Sequence, residues 1–127
     1  MSRSRAQAGR LARRKGQRWE LDVAAAFRPL FPEARRIVDQ VRTAKVAGPD
    51  VEGCPWWIEC THGASPDLSA KLAQAERDSD GRPPLVVAKQ NRREPVVHCR
   101  LSVLTRESRH VTPVSLSFAD FLALVSA

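Results

Sequence analysis

Between Trp56 and Thr61 the chain reads Trp-Trp-Ile-Glu-Cys-Thr, an apolar run with one carboxylate, Glu59, inside it. Too short for a core helix and rich in strand-forming residues, the run predicts an internal β-strand. A strand of this kind is covered on both faces, so the rest of the chain must supply neighbouring strands and packing helices. A carboxylate inside it is costly unless it is paired, protonated or bound to a cation.

The flanking segments supply those layers. From Gly16 onward Trp19, Val23, Ala26, Phe27 and Leu30 recur at helical spacing and predict an amphipathic helix ending near Pro29 or Pro32, with Glu20 and Asp22 in its first turns near the positive end of the dipole. Ala34 to Thr43 reads as a first strand, and Asp50-Val51-Glu52, after the Gly48-Pro49 break, as a short second one. His62 to Pro66 is a turn. Asp67 to Asp78 is helical, with Leu68, Leu72 and Ala75 on one stripe and Asp67, Lys71, Gln74 and Asp78 on another. Leu85 to Ala88 and Val96 to Leu101 are strands around a charged turn, Gln90 to Glu94. Val111 to Leu116 reads as an edge strand, and Ser117 caps a last helix through Val125. The expected fold is α/β, a mixed central sheet flanked by helices, in the order α-β-β-β-α-β-β with a terminal helix.

The 127 residues suit one domain. Charge is distributed unevenly: Lys and Arg number 21 against 14 acids, a net +7. Residues 1–18 hold Arg3, Arg5, Arg10, Arg13, Arg14, Lys15 and Arg18 without an acid, leaving the body near neutral. Residues 1–15 are thus expected to form a disordered or frayed helical basic arm on a single domain of residues 16–127. Such an arm suits a polyanion, because cations placed on phosphates release counterions. Arg10, Arg13, Arg14, Lys15 and Arg18, with Gln74 on the second helix, are the candidate nucleic-acid contacts; a solvated arm is the plainer reading.

The arm lacks the apolar run of a secretory signal, although its composition also fits a transit peptide. No stretch approaches the length of a membrane span, and no membrane partner is expected. An odd count of three cysteines, Cys54, Cys60 and Cys99, favours a reducing, cytoplasmic setting. Together with His62 and His98 they invite a zinc reading, but the paired spacing of known zinc sites is lacking.

Asp50 lies nine residues before Glu59, and a hairpin between them can bring the two carboxylates together. Something positive must then lie between them. A hard divalent cation fits, using the two carboxylates, the carbonyl of Cys60 and water. It would lower the pKa of bound water and offset charge on a hydrolysing phosphate. The strand period of two puts Trp57, Glu59 and Thr61 on one face and Trp56, Ile58 and Cys60 on the other. Asp50 could instead be a simple turn residue and Glu59 a surface residue of an edge strand. Glu20 could serve only the helix dipole, Lys71 and Gln74 only a solvated face. The three tryptophans read as core or interface in preference to base-stacking platforms.

Gly48-Pro49-Asp50-Val51-Glu52-Gly53 followed by Trp57-Ile58-Glu59-Cys60 resembles the PD-(D/E)XK signature of phage-type nucleases related to Holliday junction resolvases. The Ala73-Gln74-Ala75 helix, the Gly81-Arg82-Pro83-Pro84 turn into Val86-Val87, the Asn91-Arg92-Arg93 turn and the strand ending in Arg100-Leu101 extend the likeness from about Gly16 to Leu101. The resemblance implies a restriction-endonuclease-like αβββαβ core and Mg²⁺- or Mn²⁺-dependent hydrolysis of DNA, with four-way junctions as the expected substrate of a homodimer. It implies Asp50 and Glu59 as metal ligands, with Glu20 as a third carboxylate. The motif ends in lysine where this chain has Thr61. Lys71 is the candidate replacement; Lys45 is a poorer one because its direction cannot be inferred, and His62 could also substitute, though a continuing strand points it to the opposite face. Without a replacement the domain is expected to bind DNA, or to serve as a phage structural module, with catalysis impaired. A basic RNA-associated domain is a third reading, which leaves Asp50 and Glu59 unexplained.

Overall fold

A computed structural model describes residues 4–37 and 48–127. Helix α1 spans Arg5–Phe27 and opens with a reciprocal capping box: Ser4 Oγ accepts from Gln7 N–H, and Gln7 Oε1 accepts from Ser4 N–H. The arm therefore continues the helix expected from Gly16, taking the helical of its two expected forms, and the dipole role of the helix acids is corrected. Residues 5–15 are helical, and Glu20 and Asp22 lie far from the amino-terminal turn where a dipole role would place them. The helix ends at Phe27, just before Pro29, and Arg28 Nε donates to Ala34 O at 3.0 Å across the following turn.

Six strands follow in spatial order β1-β2-β3-β4-β5-β6: Arg35–Arg36, Val51–Glu52, Trp57–Gly63, Pro84–Gln90, Val96–Arg100 and Pro113–Ser117. β3 and β4 run parallel, from Trp57 opposite Pro84 to Gly63 opposite Gln90; the other pairs are antiparallel. The parallel pair needs a crossover, which α2 (Leu68–Asp78) supplies, with Asp67 Oδ1 accepting from Ala70 N–H as its cap. A short α3 (Ser102–Thr105) precedes β6, and α4 (Phe118–Ser126) closes the chain behind Ser117, whose Oγ accepts from Asp120 N–H. The expected α/β class, mixed sheet and terminal helix are all present. Only Arg35–Arg36 of the strand expected over Ala34 to Thr43 is assigned; its part from Val38 on, and Lys45, lie outside the described residues.

The sheet is covered on both faces. Ile58, Leu85, Val87, Val97 and Cys99 pack with Trp19, Val23, Ala24 and Phe27 of α1 and with Phe118 and Phe121 of α4. Phe27 is the hub: its ring lies 5.4 Å from Phe118, 5.8 Å from Trp56 and 6.4 Å from Phe121, centre to centre. Trp57, Val86 and Ala88 are also buried and occupy the alternate positions, on the side of Leu72 and Ala75 of α2. Between β2 and β3 the chain turns at Gly53, whose φ of 92° suits glycine and whose Cα lies against the Glu33 carbonyl.

Candidate acid-pair site

Val51 pairs with Ile58 across the β2–β3 ladder, which sets Asp50 level with Glu59 at the next position. Asp50 N–H donates to Ile58 O at 2.8 Å, and Cys60 N–H donates to Asp50 Oδ2 at 2.8 Å. The aspartate side chain thus takes over where the backbone ladder ends. N–H and C=O of one strand residue point to the same edge, so the Cys60 carbonyl is directed toward β2 as well.

The Asp50 carboxyl lies close enough to Glu59 to act on its protonation. Burial, then the Asp50 charge, push the Glu59 carboxyl up from 4.5 to about 7, against the pull of the Trp57 indole, which donates to Glu59 Oε1 at 3.0 Å. Asp78, at the end of α2, adds a further negative influence. Near neutral pH the Glu59 carboxyl is therefore about half protonated.

Other predicted site residues are placed as follows. Glu20 Oε2 accepts from Arg36 Nε at 3.0 Å; the charges acting on Glu59, among the described residues, are those of Asp50 and Asp78. Thr61 is half-buried, one alternation beyond Glu59 on the same strand face, and His62 turns to the other face beside α1. Lys71 and Gln74 are exposed on α2, Lys71 two turns before Asp78 on one stripe. Arg10, Arg13, Arg14, Lys15 and Arg18 are exposed on α1. Among the described residues, no three His, Cys, Asp or Glu side chains gather as a metal site. The donor set of Asp50, Glu59 and the Cys60 carbonyl still suits a hard cation, since Mg²⁺ commonly uses one or two carboxylates and keeps several waters.

Phe118, Phe121 and Trp57 are buried in the core and Trp56 packs 5.3 Å from Phe121, while Leu124 of α4 is exposed. Trp19 Nε1 donates to Val87 O, a packing role. All three cysteines are free thiols, and burial pushes Cys54 and Cys99 up to about 11, away from nucleophilic chemistry.

Sequence reasoning overlooked Arg82. Its guanidinium meets both Glu52 oxygens at 2.9 and 3.1 Å, reaches Asp80 at 2.9 Å and lies 5.6 Å over the Trp57 ring. It walls the buried indole that holds Glu59. The Arg82-Pro83-Pro84 turn carried no signal for this, because the Glu52 partner lies 30 residues away.

Fold and site together define an α/β protein with a half-buried acid pair where two antiparallel strands part. No family model, curated protein or solved structure matches the chain. No helix among the described residues is long and apolar enough to cross a membrane.

Proposed function

We propose that this protein is a metal-dependent DNA endonuclease of the PD-(D/E)XK type, with branched DNA such as a four-way junction as its substrate. The observation carrying this reading is that the β2–β3 register sets Asp50 level with Glu59, whose carboxyl is raised to about 7. Two acids close together in a partly buried site are a donor pair that suits a catalytic divalent cation. Mg²⁺ or Mn²⁺ bound there would polarise a phosphodiester and activate water. Asp50, Glu59 and the Cys60 carbonyl hold it; the Thr61 hydroxyl lies beside Glu59, where it can orient a water. Lys71 supplies the positive charge that threonine lacks. Glu20 joins the site only by leaving Arg36. The basic half of α1 attracts DNA, and paired cutting of a junction calls for two copies of the chain. The setting is the cytoplasm of a bacterium or phage-infected host.

Incubation of the purified protein with branched and linear DNA tests this. Nicking should require Mg²⁺ or Mn²⁺ and disappear in Glu59→Ala. Binding without cleavage under all metal conditions would defeat it. That outcome would favour the second reading, a nuclease-fold DNA-binding or phage structural module, to which Thr61 points. Gain of cleavage in Thr61→Lys would show an intact but disarmed site.

A further inference from the structure

The first buried residue of α1 is Trp19; none of residues 5–18 is buried. At 1.5 Å per residue this exposed half is about 21 Å long, and a helix with side chains is about 10–12 Å across. It carries Arg5, Arg10, Arg13, Arg14, Lys15 and Arg18, none in an ion pair within 4.0 Å among the described residues. Arg10, Arg14 and Arg18 follow at i, i+4 and i+8 on one face, a spacing at which like charges repel by about 0.2–0.5 kcal/mol per pair. A helix so arranged lacks the apolar stripe that would seat it on a protein. Its charge matches a polyanion.

Where this half meets the body, a cleft of about 210 Å³ is lined by Lys15, Arg18, Trp19, Asp22, His62 and Lys89. Lys89 Nζ rests 5.6 Å over the Trp19 ring, and that indole is tied to the Val87 carbonyl at 3.1 Å. The cleft lies where the parallel strands β3 and β4 end, His62 opposite Lys89. Exposed Arg92 and Arg93 follow in the next turn, Arg92 in the left-handed region at φ 60°.

We infer that the exposed half of α1 enters the major groove of B-form duplex DNA. In this seating the Lys15–Arg18–His62–Lys89 cleft receives a backbone phosphate on the groove's rim, and Arg92 and Arg93 reach the same strand beyond it. The dimensions agree, since the B-DNA major groove is about 12 Å wide and admits one α-helix. The A-form RNA groove is too narrow and deep for it. The inference rests on the DNA partner proposed above but not on cleavage.

Anisotropy titrations of the full chain without divalent metal, in EDTA, test it. Duplex DNA should bind at least about tenfold more tightly than duplex RNA of the same sequence, and a major-groove ligand such as methyl green should compete where the minor-groove ligand netropsin does not. Arg10→Gln with Arg14→Gln and Arg18→Gln should lower the log-affinity against log-salt slope by about 2–3, at about 0.9 per phosphate contact. Lys89→Gln should lower it by about 1. Arg106→Gln with Arg109→Gln, at the far end of the sheet, should leave the slope unchanged. Equal affinity for duplex RNA, competition by netropsin alone, or an unaltered slope in the triple variant would overturn the groove assignment. Groove binding without metal-dependent nicking would leave it standing while removing the nuclease reading.

Discussion

The indole of Trp57 donates to Glu59 Oε1 at 3.0 Å while its ring lies beneath the Arg82 guanidinium, centre to nitrogen-bearing carbon 5.6 Å. The donor favours the charged carboxylate and so opposes burial and the Asp50 charge. Trp57→Phe keeps an aromatic ring in a buried position but removes that N–H. Carboxyl-carbon NMR should then show Glu59 titrating above its wild-type midpoint of about 7. An unchanged or lowered midpoint would mean the indole does not hold the acid.

Asp50 acts on Glu59 in the opposite sense. Glu59 binds its proton more tightly in the fold than in the unfolded chain. Its contribution to stability is therefore complete below about 4.5 and is lost as pH rises through about 7. Asp50→Asn removes the charge and keeps an oxygen for the Cys60 N–H. In EDTA, the urea midpoint of the variant should fall less between about pH 5 and 8. Near pH 8 the variant's unfolding free energy should exceed that of wild type by about 1–2 kcal/mol, between the bulk-water and protein-surface values for two like charges close together. Wild-type superiority at pH 8 without metal would contradict the paired-acid description.

A bound cation should reverse that ranking. Ligand binding to the folded state adds RT ln(1 + [L]/Kd), about 1.4 kcal/mol at ten times Kd. Mn²⁺ or Mg²⁺ should raise the melting temperature of wild type at pH 8 and leave Glu59→Ala unmoved. An equal rise in both proteins would place the metal elsewhere.

The β2–β3 turn offers a test of the frame that sets this register. A Cβ at Gly53 would overlap the Glu33 carbonyl and the Ala34 nitrogen, at a φ of 92° that already disfavours any side chain. Gly81, at φ 107°, has open space around it. Gly53→Ala should cost more than about 2 kcal/mol in urea unfolding, and Gly81→Ala about 1–2 from the backbone alone. Equal losses would show that the Glu33 contact gives way freely.

Much of this arrangement was legible because β-structure alternates. The period of two placed Trp57, Glu59 and Thr61 together and sent His62 away, and the parallel ladder keeps that alternation through Gly63. The helix stripe of Leu72 and Ala75, and the caps at Asp67 and Ser117, follow from local chemistry that needs no tertiary knowledge. The arm admitted both a disordered and a helical form, because seven cations without an acid look like a solvated tail. The capping box of Ser4 and Gln7 was the signal passed over. Glu20's partner, Arg36, and the Arg82 clamp on Glu52 are pairings across distant sequence, which periodicity cannot supply. α3 carries no side-chain cap, so nothing local announced it.

His98 supplies the counterweight to Glu59. It is buried on β5, with Nδ1 and Ser115 Oγ 2.7 Å apart, and its Nε2 is a buried nitrogen without a partner among the described residues. Burial, then the Arg100 charge, hold the imidazole below its ordinary 6.5. The fold therefore favours the neutral ring, and this stabilisation is complete above about 6.5 and lost as pH falls through the lowered folded value. From about pH 6.5 down to the lowered histidine value the two groups act in opposite directions, Glu59 favouring acid and His98 favouring base. Glu59→Gln should expose the histidine, giving stability that rises with pH through this window. His98→Leu with Ser115→Ala removes both hydrogen-bonding partners at modest cost and should leave stability falling as pH rises. Urea midpoints at half-unit pH steps read both slopes. The same slope in the two variants would show that neither group governs the pH response of the fold.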